Sequence, residues 1–478
     1  MTKNKANTLL SETNNSFSGT YTDQYQLAMG QAYYMNGFHK EEAVFDYFFR
    51  KLPFDGGYAV FAGLETLLDT LENLRFTSED MDFLAHQGFD ADFLAYLKNF
   101  RFNGNVYSST EGDIVFPTRP VLTIEANIIE AQITETLLLN LLNYQTLIAT
   151  KARRMRETAG KRTLIDFGMR RAHGPAAHHA ARAAIIGGFD ATSNVQAARD
   201  FDIPASGTMA HSYVQAHDNE LDAFRSFANA RPNNCVLLVD TYDTLKSGVP
   251  NAITVAQEMA ERGGELAGIR LDSGDLAYLS KKARNMLDKA GLKEVKIAAS
   301  NQLDEHLIKS LLDQEAPIDV FGVGTSLVTG SPDAALDGVY KMAFANGKPR
   351  IKLSENKEKI TLPGKKQVYR VYDNNDQALG AEVVTLRDEQ HVSTMHHPFI
   401  NEKSMEIKDC KKEALLHCVM KNGKRVTAPR SIHDITKYSE ERLNQLPHEY
   451  RRFLNPHEYK IGISSLLKKE REKIIHNL

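Results

Sequence analysis

The sequence is poor in cysteine and has no excess of charge of one sign. Three cysteines, Cys235, Cys410 and Cys418, occur among 478 residues, and none is spaced as CxxC. This pattern argues for a reducing compartment and against a disulfide framework or a cysteine-based zinc site. The formal net charge of −3 offers no bulk attraction to nucleic acid or to an anionic membrane, so we expect neither as a partner.

A secretory signal and a membrane span are missing as well. The first 16 residues are polar and lack an apolar core, which predicts a disordered leader over residues 1–16. The most membrane-like stretch, residues 136–150, is too short to span a bilayer and contains Asn140, Asn143 and Gln145. It predicts a buried helix of a large protein instead. The sequence therefore indicates a cytoplasmic protein.

The two outer parts of the chain predict accessory domains. Residues 17–123 predict an N-terminal α+β domain. Its helices and strands are expected at residues 22–35, 43–50, 63–74, 78–99 and 106–122. Residues 346–478 predict a C-terminal lobe that packs on this domain. Within it, the lysine-rich stretch 352–366 suggests either nucleic-acid binding or a solvated hairpin, and Glu355 and Glu358 favour the hairpin.

The central part of the chain, residues 124–345, follows a different rhythm. After a long helical segment, short apolar runs each end in polar residues, at residues 163–168, 188–193, 203–208, 235–241, 268–274, 295–301 and 318–325. Helical patterns fill the gaps, which predicts parallel strands joined by crossover helices. An open doubly wound sheet would carry polar residues only near its switch point, whereas a barrel has its active site at all the strand ends. The polar ends therefore favour a barrel-like α/β catalytic domain over residues 124–345.

A histidine, His211, follows a loop of small residues at 206–210. Small residues let a phosphorylated substrate approach the backbone, and a histidine beside them can act as an acid, a base or a phosphoryl acceptor. A histidine near a turn can also be a bystander. Asp240, at the end of another predicted strand, offers a carboxylate that could orient His211, and its alternative role is to cap a helix.

Two motifs place arginines at predicted strand ends. Arg170 and Arg171 follow the strand that ends near Asp166, where guanidinium groups suit bidentate capture of phosphate or pyrophosphate. The alternative is a salt-bridged surface pair. On a later strand, alternation points Arg270 and Asp272 to the same side. The arginine could clamp a carboxylate substrate and the aspartate could hold Mg²⁺ or ribose hydroxyls, unless the two form a buried ion pair.

Small residues with free backbone amides, Gly322, Gly324 and Thr325, end the last strong strand. This arrangement is expected of a phosphate-binding loop late in a barrel. The loop is no dinucleotide fingerprint, because the third glycine is missing. The sequence contains no P-loop motif either, so any use of ATP must proceed without one.

Three histidines, His173, His178 and His179, raise the question of a metal site. Their alanine-rich, helix-like surroundings and the lack of a nearby carboxylate ligand argue against it. The candidate for Mg²⁺ is Asp272, for which ribose hydroxyls and a buried ion pair are the alternatives.

In order along the chain, these motifs resemble the nicotinate phosphoribosyltransferase family of barrel-type phosphoribosyltransferases, to which the nicotinamide-specific enzyme is related. The shared segments are Thr22–Gln26, Phe45–Arg50 with Pro53–Phe54, Asp166–Gly168 with Arg170–Arg171, Gly187–Asn194, Gly207–Ser212, Arg270–Asp275, Ser300–Asn301 and Gly322–Ser326. They cover about residues 20–345 in family order, which argues against chance similarity.

The resemblance implies an enzyme that joins nicotinate to 5-phosphoribosyl 1-pyrophosphate. The products would be nicotinate mononucleotide and pyrophosphate, in a salvage route to NAD. It also implies ligase-type coupling to ATP hydrolysis through a transient phosphohistidine at His211, with Asp240 orienting the ring. ATP would be a co-substrate and Mg²⁺ the cofactor. Family members are homodimers with active sites at the subunit interface, so Tyr25 would act in the partner's site.

The resemblance also implies the substrate contacts. Tyr25 would stack on the pyridine ring, while Thr208 and Arg270 would bind the nicotinate carboxylate. The other implied contacts are Arg171 with phosphate groups, Asp272 with the ribose or its Mg²⁺, and Gly324 with Thr325 on the 5′-phosphate. The implied substrate-binding set is completed by Arg170, Ser273 and Gly322.

Two other functions fit the same motifs. A nicotinamide phosphoribosyltransferase has the same fold, and Arg270 suits nicotinate only if no acidic partner neutralises it. A catalytically silent relative, acting as a binding protein, is the second alternative. The intact set of His211, Asp240 and Arg270 argues against it, because a silent copy could lose any of them.

Overall fold

The structure is a computed structural model that describes residues 17–355 and 360–477. The disordered leader expected over residues 1–16 lies outside these residues. So do residues 356–359, in the middle of the expected lysine-rich hairpin.

The described chain is a mixed α/β protein. Its helices are α1 Gln24–Met35, α2 Leu64–Asn73, α3 Ser78–His86, α4 Ala91–Lys98, α5 Ile128–Ala159, α6 Ala176–Ile186, α7 Val195–Phe201, α8 His211–Gln215, α9 Glu220–Ala230, α10 Val249–Glu261, α11 Leu276–Lys289, α12 Glu305–Asp313, α13 Thr325–Val328, α14 Ile432–Gln445, α15 His448–Arg451 and α16 Ser465–His476. Its strands are β1 Glu42–Phe49, β2 Ala59–Val60, β3 Asn105–Ser108, β4 Ile114–Val115, β5 Leu122–Asn127, β6 Thr163–Asp166, β7 Ala191–Thr192, β8 Cys235–Leu238, β9 Leu266–Leu271, β10 Lys296–Ser300, β11 Val320–Val323, β12 Gly338–Ala345, β13 Lys348–Pro349, β14 Lys366–Tyr372, β15 Ala378–Leu386, β16 Thr394–His396, β17 Ser404–Glu406, β18 Lys411–Ala414, β19 His417–Lys421, β20 Lys424–Arg425 and β21 Lys460–Ser464. Every helix among the described residues is too short or too polar to cross a bilayer. Residues 136–150 lie inside α5.

Contacts divide the chain into two compact units. One consists of the residues up to Thr150 together with those from Ala335 onward, and the other is Lys151–Ala334. These limits differ from the boundaries expected at residues 124 and 346. The reason is that the N-terminal turns of α5 pack in the core of the first unit, where β12 also pairs with β1.

A seven-stranded sheet, in the order β13-β12-β1-β5-β3-β19-β20, is the centre of the first unit. Strand β1 pairs antiparallel with β12 and β5, so that Tyr47 lies opposite Tyr340 on one side and Leu122 on the other. Side chains alternate along a strand, and Phe45, Tyr47 and Phe49 share one face of β1. All three are buried in the main apolar core of this unit.

Buried ion pairs join the C-terminal segment to the same unit. Arg370 on β14 pairs with Asp113 at 3.1 Å and with Glu382 at 2.8 Å. Arg442 on α14 reaches the same Asp113 at 2.9 Å, and Arg119 pairs with Glu382 at 2.8 Å. Burial alone would raise the pKa of Asp113, but the Arg370 and Arg442 guanidinium groups outweigh it and lower that pKa to about 2.

The second unit contains a six-stranded parallel sheet in the order β7-β6-β11-β10-β9-β8. Ala298 of β10 lies opposite Arg270 of β9 and Val320 of β11, which fixes the register at the centre of the sheet. Among the described strands, β7 and β8 are the two edges, so the sheet is a half-barrel. The barrel-like α/β fold predicted from the strand–helix alternation is confirmed in this form.

Two expected elements differ from the structure. The strand expected at residues 203–208 is a single bridge to Thr192, because Pro204 has no N–H to donate to a strand ladder. The helix expected over residues 78–99 is broken into α3 and α4 near Gly88, whose φ of +83° ends the first helix.

Candidate active site

The carboxyl edge of the half-barrel collects polar residues from distant parts of the sequence. Strands β6 and β10 end at Asp166 and Ser300, and Asp240, Asp272 and Gly324 follow β8, β9 and β11 within two residues. Because parallel strands end on the same edge of their sheet, these residues share one face of the unit.

Arg270, on β9, is bonded on several sides. Its Nε donates to Ser300 Oγ at 2.9 Å, and one terminal nitrogen donates to Thr208 Oγ1 at 3.0 Å and to Met209 O at 3.4 Å. The other terminal nitrogen donates to Asp272 Oδ1 at 3.1 Å. These bonds leave one of the five guanidinium N–H groups without an acceptor among the described residues. Arg270 therefore has an acidic partner, yet it keeps one donor for a ligand.

Asp272 shares its carboxylate among three neighbours. Its Oδ1 accepts hydrogen bonds from Arg270 and from the Ser300 hydroxyl, and its Oδ2 lies 3.7 Å from His211 Nε2. On the other side of the ring, His211 Nδ1 lies 3.1 Å from Thr241 Oγ1. His211 begins α8 and its side chain is 40% exposed. Nδ1 is thus within hydrogen-bond distance of a side chain, Nε2 faces a carboxylate, and the ring is still accessible.

Asp240 contacts the turn after β9 and does not contact His211 directly among the described residues. Its Oδ2 accepts from the Asp272 N–H at 2.8 Å and from the Ser273 hydroxyl at 2.6 Å. Its Oδ1 is buried and has no hydrogen-bond partner in the part of the chain that the structure describes. The capping role considered for Asp240 belongs to Asp243, whose side chain accepts from the amides that follow it. Asp240 is linked to the ring indirectly, through its hydrogen bond from the Asp272 N–H and as the sequence neighbour of Thr241.

Arg170 and Arg171 lie in the loop between β6 and α6, and both are exposed. Neither forms an ion pair among the described residues, so the surface salt bridge considered for them is not seen there. The Arg171 N–H donates to Gly168 O at 2.8 Å, which sets the turn that carries both arginines. Two adjacent guanidinium groups of this kind attract an anion with several oxygens.

The end of β11 and the loop after it contain the small residues predicted to meet a phosphate. Gly324 precedes α13, which Thr325 begins, and Thr325 is exposed. A Cβ on Gly322 would lie 2.4 Å from the Phe167 ring. Gly322 is therefore needed for packing, independently of any ligand.

A cavity of about 670 Å³ lies inside the half-barrel. Gly268 and Ala298 on neighbouring strands line it, and such small side chains leave open the space that bulky residues fill in a closed barrel. Arg270, Thr208 and Phe167 also line this cavity, and the Arg270 guanidinium lies 5.4 Å from the centre of the Phe167 ring. A cation, a hydroxyl and an aromatic face suit a planar anionic ligand.

The three histidines after the arginine loop differ in environment. His173 is exposed, whereas burial lowers the pKa of His178 and lowers that of His179 to about 4. The His178 Nε2 atom lies 3.7 Å from Asp200 Oδ2. Across the described residues, no three His, Cys, Asp or Glu side chains are grouped to hold a metal ion. His178 and His179 are therefore packed side chains whose surroundings favour the neutral form.

Tyr25 belongs to the first unit and lies on α1. Its residue is 51% exposed, and Tyr21 and Met35 are exposed apolar side chains nearby in sequence. The start of α1 is fixed on α5, because the Asp23 N–H donates to Thr136 Oγ1 at 3.2 Å and the Thr136 hydroxyl donates to Asp23 Oδ2 at 2.7 Å. The helix therefore presents an anchored apolar surface.

Three residues of the site were not predicted to act there. Thr241 contacts the His211 ring, Ser300 bridges Arg270 and Asp272, and Phe167 lies beside the guanidinium. Thr241 follows Asp240 directly, and Phe167 and Ser300 stand in motif segments at strand ends, which marks them as candidates. Their contacts depend on how the strands and loops are placed relative to one another.

A parallel half-barrel with arginines, carboxylates and a histidine at its carboxyl edge is the architecture of a barrel-type enzyme. Comparison with known proteins narrows this class. Models of the nicotinate phosphoribosyltransferase N-terminal domain, family and C-terminal domain match residues 20–143, 163–403 and 365–471. The chain belongs to the nicotinate phosphoribosyltransferase family.

Similarity to individual relatives extends over nearly the whole chain. The sequence is 45% identical to a nicotinate phosphoribosyltransferase of Bacillus subtilis, over 93% of this chain and 92% of that protein. It is 36% identical to one of Caenorhabditis elegans, over 93% and 91%. The crystal structure of human nicotinic acid phosphoribosyltransferase matches with a TM-score of 0.86 at 28% identity, over 95% of this chain and 99% of that one. The resemblance predicted from the motifs is confirmed.

Proposed function

We propose that this chain joins nicotinate to 5-phosphoribosyl 1-pyrophosphate, giving nicotinate mononucleotide and pyrophosphate. The observation that carries the proposal is Arg270 at the cavity, beside the Thr208 hydroxyl and the Phe167 ring. Family membership supports the same substrates. The test is chromatographic detection of nicotinate mononucleotide from these two substrates, and a lack of product would overturn the proposal.

The residues act mainly by positioning and by stabilising charge. In the proposed reaction the pyridine nitrogen attacks the anomeric carbon while pyrophosphate leaves. That nitrogen is already nucleophilic and needs no general base, so the rate depends on orientation and on stabilisation of the leaving group. Arg270 and Thr208 would hold the nicotinate carboxylate, and Arg170 and Arg171 would stabilise the departing pyrophosphate.

The rest of the phosphoribosyl group would lie along the other strand ends. Gly324 and Thr325, which follow β11, would receive the 5′-phosphate together with Gly322 near the end of that strand. Asp272 and Ser273 would meet the ribose hydroxyls, and the hydrogen bond from Ser273 to Asp240 supports a fixed geometry for that turn.

The carboxylates of Asp240 and Asp272 fit Mg²⁺. Asp240 Oδ1 has no hydrogen-bond partner among the described residues, and the Asp272 side chain is 29% exposed. Mg²⁺ commonly binds one or two carboxylates and completes its shell with water and substrate phosphates. Asp272, with Asp240 behind it, would hold the ion, and the bound ion would stabilise negative charge on the pyrophosphate.

ATP would act as a co-substrate that phosphorylates His211. The accessible ring and its contacts with Thr241 and Asp272 support this role. A phosphoryl group adds nearly two negative charges beside Asp272, which is enough to change substrate affinity. Mass spectrometry after incubation with ATP should find phosphate on the peptide containing His211, and a His211→Asn variant should carry none. An unmodified wild-type peptide would contradict the ATP coupling alone.

A homodimer in which Tyr25 acts in the partner's site is the proposed assembly. The exposed apolar residues Tyr21, Tyr25 and Met35 support a contact surface around α1. Mixing Tyr25→Ala with Arg270→Gln, two variants that should each be strongly impaired with nicotinate, tests it, because a shared site would restore part of the activity in mixed dimers. Two variants that stay impaired when mixed and re-associated would contradict the shared site.

Transfer to nicotinamide is the second candidate, and one observation favours it. The Asp272 carboxylate partly neutralises Arg270, which weakens the attraction for a negatively charged ring substituent. A catalytically silent binding protein would use neither pyridine.

The reaction would serve NAD salvage in the cytoplasm, and the three unpaired cysteines are consistent with a reducing compartment.

A further inference from the structure

Asp166, at the end of β6, is a buried carboxylate that the proposed reaction does not use. It is 1% exposed, and no ion pair involves it among the described residues. Burial raises the pKa of Asp166, and hydrogen bonds from Gly168 and Thr192 oppose the rise. Burying a carboxylate without a cation opposes folding, so the presence of an aspartate at this position needs an explanation other than stability.

Each carboxylate oxygen of Asp166 accepts one hydrogen bond, one from the loop after β6 and the other from strand β7. Oδ1 accepts from the Gly168 N–H at 2.8 Å, and Oδ2 accepts from the Thr192 hydroxyl at 2.8 Å. A carboxylate offers two acceptor oxygens, whereas an asparagine amide offers one. An aspartate can therefore serve both donors with separate oxygens.

The bond to Gly168 fixes the arginine loop. Gly168 O accepts from the N–H groups of Arg171 at 2.8 Å and Ala172 at 3.2 Å, so the turn that carries the arginines is built on this residue. The turn is tightly packed, because a Cβ on Gly168 would lie 2.0 Å from Val328 Cγ1. A shift of Gly168 would therefore displace the arginines.

Thr192 is in turn bonded to the loop between α7 and α8, residues 202–210, which is called the histidine loop because His211 follows it. The Thr192 N–H donates to Pro204 O at 3.1 Å, and Thr192 O accepts from the Ser206 N–H at 2.9 Å. The chain leads from there to Thr208, which is bonded to Arg270, and to His211. Thr192 is fully buried, so solvent does not compete for its hydroxyl.

We propose that Asp166 and Thr192 form a positioning pair that holds the arginine loop and the histidine loop in one arrangement. The inference rests on the proposed function, because it takes Arg170 and Arg171 as pyrophosphate ligands and Thr208 as a nicotinate ligand. Asp166 and Thr192 act through these loops and are not catalytic residues. By holding both loops, the pair couples the position of the proposed pyrophosphate ligands to that of the proposed nicotinate ligand.

Thr192→Val tests the pair, and Thr192→Ser is the matched control. Valine keeps the shape and removes the hydroxyl, whereas serine keeps the hydroxyl and removes a methyl group. We expect Thr192→Val to raise KM for phosphoribosyl pyrophosphate about 10-fold and to lower kcat/KM about 100-fold, because small misplacements of binding groups are costly. Thr192→Ser should stay within about twofold of wild type, because its hydroxyl can still bond to Asp166.

Melting temperature separates this role from a merely structural one. Both variants lose packing or a hydrogen bond, so both are expected to melt below wild type. Kinetic parameters measured well below those temperatures should change in the valine variant alone. Equal kinetic parameters for wild type and both variants would overturn the proposal.

A double-mutant cycle checks that the pair acts through the arginine loop. In an Arg171→Ala background, Thr192→Val should raise KM for phosphoribosyl pyrophosphate by less than about threefold, because one of the two arginines that the pair positions is already absent. A full and additive effect in that background would overturn the proposed route.

The activity of the wild-type protein distinguishes a failure of the proposed function from a failure of the positioning pair. If wild type forms no nicotinate mononucleotide, the proposed function is overturned, and calorimetric binding of inorganic pyrophosphate then tests the pair. Weaker binding by Thr192→Val alone would support the pair, and equal binding by wild type and both Thr192 variants would overturn it.

Discussion

At the residue scale, the choice of pyridine in the proposed reaction would depend on how much of the Arg270 charge is available. Asp272 accepts from Arg270, but the same carboxylate also accepts from Ser300 and faces His211. The ion pair is therefore shared, and one N–H of the guanidinium has no acceptor among the described residues. A nicotinate carboxylate can bind that donor together with the Thr208 hydroxyl, and a neutral amide gains less from the same contact.

Arg270→Gln is expected to lower kcat/KM for nicotinate about 100-fold and that for nicotinamide by less than about fivefold, because a charge-assisted bond is lost only for the acid. Steady-state kinetics with both pyridines measures this difference. Arg262→Gln, at an exposed arginine after α10, is the matched control and should change neither value. Equal losses for both pyridines would reject the carboxylate-binding role of Arg270.

At the element scale, local patterns predicted the strands of the half-barrel and the polar residues that end them. Asp166 and Asp272 could be found in this way, because an apolar run and its polar end are adjacent in sequence. The partner of His211 could not, since the contact of Thr241 rather than Asp240 depends on how β8 and β9 end relative to each other. The bridge made by Ser300 likewise depends on the register of β9 and β10.

Gly168→Ala tests the packing beneath the arginine loop. An added Cβ would lie 2.0 Å from Val328, so the loop must shift. We expect the free energy of unfolding to fall by about 1–3 kcal/mol and KM for phosphoribosyl pyrophosphate to rise. Urea unfolding and steady-state kinetics measure the two effects. The control is Gly264→Ala, where a Cβ would meet nothing closer than 3.5 Å. An unaltered unfolding curve for Gly168→Ala would contradict the tight turn.

At the scale of the whole molecule, the first and last parts of the chain form one unit held by buried charges. Arg370 and Asp113 pair across 257 positions of sequence, and Arg442 joins the same carboxylate. A C-terminal lobe could be predicted from the sequence, but these pairs could not, because no local pattern links residues so far apart. The function was predicted from the family motifs. The long-range ion pairs were found only in the structure.

The buried Asp113 predicts a dependence of stability on acid pH. Its pKa is lowered to about 2 in the folded chain, against about 3.9 when unfolded. Its contribution is therefore complete above a pH of about 4 and is lost as the pH falls through about 2. Urea unfolding over this range should show a steeper loss for wild type than for Asp113→Asn. The exposed Asp376→Asn is the control and should follow wild type. Parallel curves for wild type and Asp113→Asn would contradict the ion-pair account.

Pyrophosphate release is the measurement that tests the central claim most directly. Phosphoribosyl pyrophosphate would be supplied with nicotinate, nicotinamide or quinolinate, each with and without ATP and Mg²⁺. The account predicts release with nicotinate, increased by ATP, and little release with the other two. Release with nicotinamide but not with nicotinate would be consistent with the fold and would reject the proposed role of Arg270. No release with any of the three would contradict the claim that this chain is a phosphoribosyltransferase acting on a pyridine.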